Sequence, residues 1–152
     1  MIEPETEPRG HSRVRVETRF GAFDVEPRDV LLFPDGLPGF EQCRHFVVLS
    51  DLAGGPLYCL HAIDGADASF LAVDPRIVLP TYRCELGAAD RRRLHADEQT
   101  SLLWLALVTM TDETDGRINL RAPIVINPER MIGFQVMPHD TLYPLVHPLR
   151  LG

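Results

Sequence analysis

The chain has no lysine, so all 15 of its basic side chains are arginines, and 22 acidic side chains outnumber them. The net charge of −7 disfavours direct binding to the phosphate backbone of a nucleic acid. An acidic surface suits solubility, and it also suits a basic protein partner. We attribute the missing lysine to an arginine-rich coding bias and assign it no function.

Cysteine is scarce, and the three that occur, Cys43, Cys59 and Cys84, have no Cys-x-x-Cys spacing. This odd set predicts free thiols in a reducing compartment. Long apolar runs are also absent, because the longest, at residues 102–110, has about half of the roughly 20 residues that a membrane-spanning helix needs. With no basic and apolar leader at its start, the chain is expected to be cytoplasmic and to have no membrane partner.

The sequence motifs of common enzymes are missing, since no Gly-x-Ser-x-Gly, His-Glu-x-x-His or P-loop pattern occurs. His139, Asp140 and His147 could supply an acid–base pair, and Cys59 a nucleophile. Most such pairs are surface hydrogen bonds, so a hydrolase is the weakest hypothesis. We predict that the protein is not an enzyme and has no catalytic residues.

A metal site is the other chemical possibility in this sequence. Cys59 and His61 are two residues apart and would share one face of a predicted strand, as two metal ligands could. A third ligand would have to be Cys43, Cys84 or His139, and no spacing selects among them. Because free cysteines are commonly buried, core packing explains the pair better. We predict no metal and no cofactor.

What the chain does have is a series of short β patterns separated by many of its 13 prolines and 11 glycines. Residues 14–20 alternate apolar and polar side chains, which predicts a strand with one face in water. Residues 101–110 are apolar on both faces, which predicts a central strand covered on both sides. Further strands are predicted at residues 22–25, 30–33, 46–50, 57–63, 70–73, 118–120, 124–126, 131–136 and 142–146.

One short helix is predicted at residues 88–96, and a single helical turn could form at residues 40–44. Arg91, Arg92 and Arg93 lie in the helix and indicate a solvated face more than a nucleic-acid patch. Together these patterns predict an all-β fold, a small barrel or sandwich of about ten short antiparallel strands with one short helix. We expect a disordered tail at residues 1–12 and a single domain at residues 13–152.

Two proline-rich stretches carry the strongest local signal. The first is Phe33-Pro34-Asp35-Gly36-Leu37-Pro38-Gly39-Phe40-Glu41, and the second is Asn119-Leu120-Arg121-Ala122-Pro123-Ile124-Val125-Ile126-Asn127-Pro128. Proline cannot donate to a strand ladder, so these residues mark strand ends or an edge and hold the register. Neither stretch contains a nucleophile with its base. They indicate a shaped surface and therefore a binding protein.

The chain closes with a third stretch, Tyr143-Pro144-Leu145-Val146-His147-Pro148-Leu149. Its prolines exclude it from the centre of a sheet. It is expected to be an extended arm that either packs on the barrel or lies open to a partner.

These stretches resemble the flagellar assembly factor FliW family. The matching pieces follow the family's order and also include Thr18-Arg19-Phe20-Gly21 and Ala72-Val73-Asp74-Pro75. The resemblance covers about residues 13–149, nearly the whole chain. It implies a small, monomeric, β-barrel-like protein without catalytic activity.

The resemblance also implies two protein partners, cytoplasmic flagellin and the RNA-binding carbon storage regulator CsrA. In the family's scheme, the free protein binds CsrA and relieves its repression of flagellin translation, and unsecreted flagellin displaces CsrA. The implied function is a partner switch that couples flagellin synthesis to export. The implied partner-binding residues are Phe33, Pro34, Asp35, Asn119, Arg121, Pro123, Asn127, Tyr143, Pro144 and His147.

Two alternatives stay open at this point. The first is that these residues are structural: the prolines and glycines of the first stretch would shape a turn, and Asn119 and Asn127 would cap strand ends. The second is a small-ligand-binding β-barrel, which needs an interior cavity of about 300 Å³ or more. The Leu- and Val-rich strands favour a filled interior.

Overall fold

The computed structural model describes residues 13–52, 55–64, 68–138 and 142–151. The described residues form eleven strands and one α-helix. The strands are β1 (Val14–Thr18), β2 (Gly21–Val25), β3 (Leu31–Leu32), β4 (His45–Leu52), β5 (Leu57–Ala62), β6 (Ser69–Val73), β7 (Leu103–Met110), β8 (Asp115–Ile118), β9 (Ile124–Asn127), β10 (Ile132–Gln135) and β11 (His147–Arg150). The helix α1 is Ala88–Arg93, and short 3₁₀ helices lie at Pro27–Asp29 and Pro75–Ile77.

The all-β prediction is confirmed, and the sheet closes on itself. Nine strands follow the order β11-β8-β7-β6-β5-β4-β3-β10-β9, and β9 pairs again with β7. Strands β3, β4, β5, β6, β7, β9 and β10 therefore form a barrel, while β8 and β11 extend it on one side. The pairs are antiparallel as predicted, with one exception, since β10 runs parallel to β3 at Ile132 and Leu32.

Strand β7 organises the barrel because it is long and apolar on both faces. Its first half pairs with β9, from Leu103 opposite Ile126, and its last residues pair with β8, from Val108 opposite Ile118. Both partners lie on the same edge of β7, since β6 occupies the other edge. Between them the chain leaves that edge at residues 119–123 and returns to it. This excursion is called the 119–123 loop below.

The barrel interior is filled with apolar side chains. Phe33, Phe46, Leu60, Leu105 and Ile124 are all fully buried in one cluster. The rings of Phe33 and Phe46 meet edge-on with centroids 5.1 Å apart. Burial of this apolar surface is the main stabilising contribution, at about 25 cal/mol for each Å² removed from water.

Two pieces cover the outside of the barrel. The hairpin β1–β2 has no main-chain pairing with the barrel in the described structure and packs by Val16 and Val25 against Val47, Leu49 and Cys59. The segment around α1 packs on the other side, where buried Leu94 meets Val125 and Phe134 in the same cluster.

Several predicted elements have different limits. The helix ends at Arg93 rather than residue 96, and residues 40–44 form turns instead of a helical turn. The strand predicted at 118–120 lies at Asp115–Ile118, because Asn119 opens the loop there. The strand predicted at 142–146 is wrong: the chain pairs only from His147, as β11 along the outer edge of β8. The predicted tail at residues 1–12 lies outside the described residues.

No helix in the described ranges is both long and apolar enough to cross a membrane.

Candidate partner-binding surface

The implied partner-binding residues fall into two places in the fold. Asn119, Arg121, Pro123, Tyr143, Pro144 and His147 belong to the 119–123 loop and to the chain that runs beside it. Asp35 and Asn127 contact the segment at the end of α1, Pro34 adjoins Asp35, and Phe33 lies in the barrel interior. The structure thus brings together residues far apart in sequence, but as two groups.

The 119–123 loop is a tight turn held by its own asparagine. The Asn119 side-chain oxygen accepts hydrogen bonds from the main-chain N–H of Arg121 at 3.0 Å and of Ala122 at 3.1 Å. The neighbouring strand adds a third support, because the Gln135 side chain donates to the Ala122 carbonyl at 3.0 Å. An asparagine that satisfies two main-chain donors stabilises a turn in the same way that a cap stabilises a helix end.

Residues 142–146, called the C-terminal arm below, are anchored to this loop. The N–H of Leu120 donates to the Pro144 carbonyl at 3.1 Å, and Arg121 Nε donates to the Tyr143 carbonyl at 2.9 Å. The Tyr143 hydroxyl accepts from the Arg83 N–H at 2.9 Å. These bonds hold the arm's backbone in place without making it a strand.

A second tyrosine, Tyr82, holds both the C-terminal arm and the 119–123 loop. The rings of Tyr82 and Tyr143 lie with centroids 4.5 Å apart, and the Tyr82 hydroxyl donates to the buried Leu120 carbonyl at 2.8 Å. Burial raises the pKa of Tyr82 well above its ordinary range, so the hydroxyl keeps its proton and remains a donor. Tyr82 was not among the predicted residues, and nothing in its local sequence distinguishes it.

The side chains that this support presents to solvent are apolar. In the arm, Leu142 is 97% exposed, Val146 63% and Leu145 49%. Met137 is 63% exposed and follows Val136, whose N–H donates to the Pro123 carbonyl. These four residues are called the arm patch. Three of them, Leu142, Leu145 and Val146, lie within five residues of each other, which is denser than the single scattered apolar side chains of an ordinary surface and indicates a protein-binding site. Leu145 and Val146 belong to the C-terminal stretch that the sequence singles out. Met137 and Leu142 lie outside every stretch that it singles out.

The second group has a structural role. Asn127 is buried, and its amide donates to the Leu94 carbonyl at 2.7 Å and more weakly to the His95 carbonyl at 3.3 Å. Asp35 forms an ion pair with Arg93 at 2.9 Å, which joins the Pro34–Gly36 turn region to α1. Arg93 also lies over the Phe134 ring at 4.2 Å. This arginine is committed to contacts within the protein.

Three of the implied residues are buried in this structure: Phe33, Pro123 and Asn127. They can shape the surface from below, but a partner would not touch their side chains directly. His147 is half-buried at the start of β11, where its Nδ1 donates to the Pro148 carbonyl at 2.8 Å. Partner contact by the set as a whole stays a prediction.

Cys59, one of the two residues weighed and rejected as metal ligands, lies between the barrel and the hairpin. Cys59 is buried, and burial raises the pKa of its thiol, so it stays protonated. His61 is also buried, and its Nδ1 is hydrogen-bonded to Ser69 Oγ on β6. In the described residues, no group of three or more His, Cys, Asp or Glu side chains is placed to hold a metal ion. His139 and Asp140 lie outside the described residues.

Comparison with known proteins agrees with this fold. The FliW protein family model matches residues 15–149. The flagellar assembly factor FliW of Geotalea uraniireducens is 38% identical over 132 residues, covering 86% of this chain and 80% of the relative. That of Desulfitobacterium hafniense is 35% identical over 133 residues, covering 87% and 88%.

A solved structure described as the crystal structure of the flagellar assembly factor FliW superposes with a TM-score of 0.81 at 28% identity. The match covers 91% of this chain and 97% of that structure. The closed barrel, the proline-rich turns and the family model all lead to one conclusion. The chain belongs to the FliW family.

Proposed function

We propose that this protein acts in flagellar assembly as a non-enzymatic partner switch in the cytoplasm, which binds flagellin and, in competition with it, the regulator CsrA. Membership of the FliW family supports the flagellar role. The observation that carries the binding proposal is the arm patch: four exposed apolar side chains next to a backbone fixed by hydrogen bonds.

The arm patch suits an amphipathic segment of flagellin. Such a segment has one apolar face, which must be covered before the subunit assembles, and it can place this face against exposed leucine, valine and methionine side chains. The arm is already ordered by Tyr82, Arg83 and Arg121, so binding does not have to order this backbone. Preorganisation of this kind raises affinity by reducing the entropy lost on binding.

The charge of the protein suits the second partner. A regulator that binds RNA has a basic face, and the protein has a net charge of −7. The turn between β7 and β8 carries Asp112 and Glu113, and β8 begins with Asp115. Hydrogen bonds from the main chain of Asp115 and Thr114 lower the pKa of Asp112, so this carboxylate stays charged at neutral pH. Long-range attraction would mainly raise the association rate.

The experiment is size-exclusion chromatography of the purified protein with flagellin and, separately, with CsrA, at micromolar concentration. Co-elution with each partner is expected. In the next step flagellin is added to the preformed CsrA complex, and CsrA release is measured. A coupling free energy of about 1 to 3 kcal/mol would lower CsrA affinity by about 5- to 150-fold. Unshifted elution with both partners would refute the proposal.

A charge placed in the arm patch tests the surface itself. The double variant Leu142→Glu with Val146→Glu is expected to weaken flagellin binding by about tenfold or more, because two apolar contacts become charged. The matched control is Ile63→Glu with Ile77→Glu, since Ile63 and Ile77 are 40% and 50% exposed and lie outside the patch. Equal affinity of the double variant and the control would exclude the arm patch as the flagellin site.

The small-ligand alternative is not favoured, because the interior described above is packed with apolar side chains.

A further inference from the structure

The barrel wall has a gap beside β4. Strand β3 is only two residues long, and it pairs with β4 at Leu31 with Phe46 and at Leu32 with His45. Strand β4 continues well beyond this point, paired with β5 on its other side. Among the described pairings, none covers the β3 side of β4 after Phe46. This leaves a length of strand edge without a strand neighbour.

The main chain of Val48 faces this gap. On the β3 side, the Phe33 N–H donates to the Arg44 carbonyl at 2.7 Å. In an antiparallel strand the N–H and C=O of one residue point to the same side, and the side alternates from residue to residue. Because Val48 is four residues from Arg44 and its register with β5 is regular, its N–H and C=O point the same way as those of Arg44.

A groove of about 530 Å³ lies along this edge. It is lined by residues 47–50 of β4 and residues 23–25 of β2, together with Leu103, Ile126 and Met131. Consecutive residues of a strand point to opposite faces, so a groove that touches four in a row runs along the edge of that strand. Four residues correspond to about 13 Å of strand, enough for a short extended segment.

The groove has an apolar lining and acidic groups. The valine, leucine, isoleucine and methionine side chains suit apolar side chains of an incoming segment, whereas Asp24 and Asp29 supply negative charge. Both aspartates are exposed, and the Asp24 carboxylate is only loosely paired, with Arg15 at 3.8 Å. A basic side chain between apolar ones would therefore match the groove.

We propose that the open edge of β4 is a docking site for an extended peptide segment of a partner protein. The segment adds as a strand, pairs with the main chain of Val48, and has apolar side chains alternating with arginine or lysine. Strand addition of this kind uses main-chain hydrogen bonds for affinity and side-chain pockets for specificity. The site shares no residue with the arm patch, so it goes beyond the function proposed above.

The test uses the full chain and a synthetic, end-capped peptide of alternating valine and arginine, labelled for fluorescence anisotropy. Binding is expected, together with a slowing of the Val48 amide hydrogen exchange by about tenfold or more. A second peptide, N-methylated at every other residue to remove donors, is expected to bind much more weakly. Absence of binding up to about 1 mM peptide, unchanged Val48 exchange at saturation, or equal binding of the methylated peptide would overturn the proposal.

Charge variants separate this groove from the general acidity of the chain. Asp24→Arg is expected to weaken binding of the valine–arginine peptide by about fivefold. Glu85→Arg makes the same charge change at another exposed and loosely paired carboxylate, which lies 3.9 Å from Arg83 and does not line the groove, and it is expected to have less than about a twofold effect. An equal loss of peptide affinity in both variants would overturn the proposal. Protection of Val48 that grows with protein concentration without peptide would also overturn it, because the occupant would be a second copy of the chain.

Discussion

The packing of Phe33 against β10 can be tested with one methyl group. A Cβ at Gly133 would lie 2.6 Å from Phe33 Cζ and 2.9 Å from Phe33 Cε1, and 3.1 Å from Ile126 Cγ1. Ordinary contact begins at 3.4 Å, so the ring or the strand would have to move by about 0.8 Å. Phe33 is fully buried and meets Phe46 edge-on, so it has no free space to move into.

Gly133→Ala is therefore expected to destabilise the fold by about 1 to 3 kcal/mol, the range for overpacking a core. The measurement is urea unfolding followed by the fluorescence of Trp104. The midpoint should fall while the slope stays constant. Gly87→Ala is the control, because a Cβ there meets nothing within 4 Å. Gly87→Ala should lower the free energy of unfolding by less than about 1 kcal/mol, even though Gly87 is the N-cap of α1.

A double variant identifies the clash as the cause. Phe33→Leu removes the ring atoms nearest to the new methyl group, and by itself it should lower the free energy of unfolding by about 1 to 3 kcal/mol, because it leaves a cavity in the core. In the double variant the smaller side chain should relieve the overlap with the new methyl group. The loss of unfolding free energy should therefore be smaller than the sum of the two single-variant losses by about 0.5 kcal/mol or more. The packing argument would be refuted if the two losses of unfolding free energy were additive, or if the Gly133→Ala protein were as stable as the parent.

Three further predictions concern buried hydrogen bonds and one ion pair. Asn127→Ala should lower the free energy of unfolding by about 1 to 3 kcal/mol in urea titrations, because carbonyls at the end of α1 lose their donor. Tyr82→Phe should cost about 1 to 2 kcal/mol by the same measurement, since the buried Leu120 carbonyl is left without its bond. Burial raises the pKa of Asp64, but hydrogen bonds from His45 outweigh this and lower the pKa overall. Stability from Asp64 should therefore be present above about pH 4 and lost as the pH falls further, and melting temperatures of Asp64→Asn should fall less steeply there than those of the parent.

The short-range patterns of the sequence predicted most of the fold. The alternation in residues 14–20 and the apolar residues 101–110 became β1 and β7, because strand faces follow directly from a period of two. Turn chemistry was equally local: Asn119 does stabilise a turn, and Gly36 has a φ of +63°, which glycine adopts without strain. The prolines of the C-terminal stretch correctly indicated an edge, although β11 begins later than predicted.

The errors concerned the limits of strands and the burial of one motif residue. The strand predicted at 142–146 is an arm because Tyr143 and Pro144 use their carbonyls for Arg121 and Leu120 rather than for a ladder. No sequence pattern carries that information, since these residues lie more than 20 positions apart. The same holds for Phe33, which looked like part of a surface motif and is a core residue.

The sequence by itself determined an all-β domain without enzyme motifs, its strand faces and its family resemblance, because these depend on neighbouring residues and on motif order. Only the tertiary structure decided that β9 returns to β7 and closes the barrel, that Tyr82 and Tyr143 support the arm patch, and that a two-residue β3 leaves the edge of β4 open. The physical reason is that barrel closure and edge exposure depend on pairing between distant strands, whose partners no local pattern specifies.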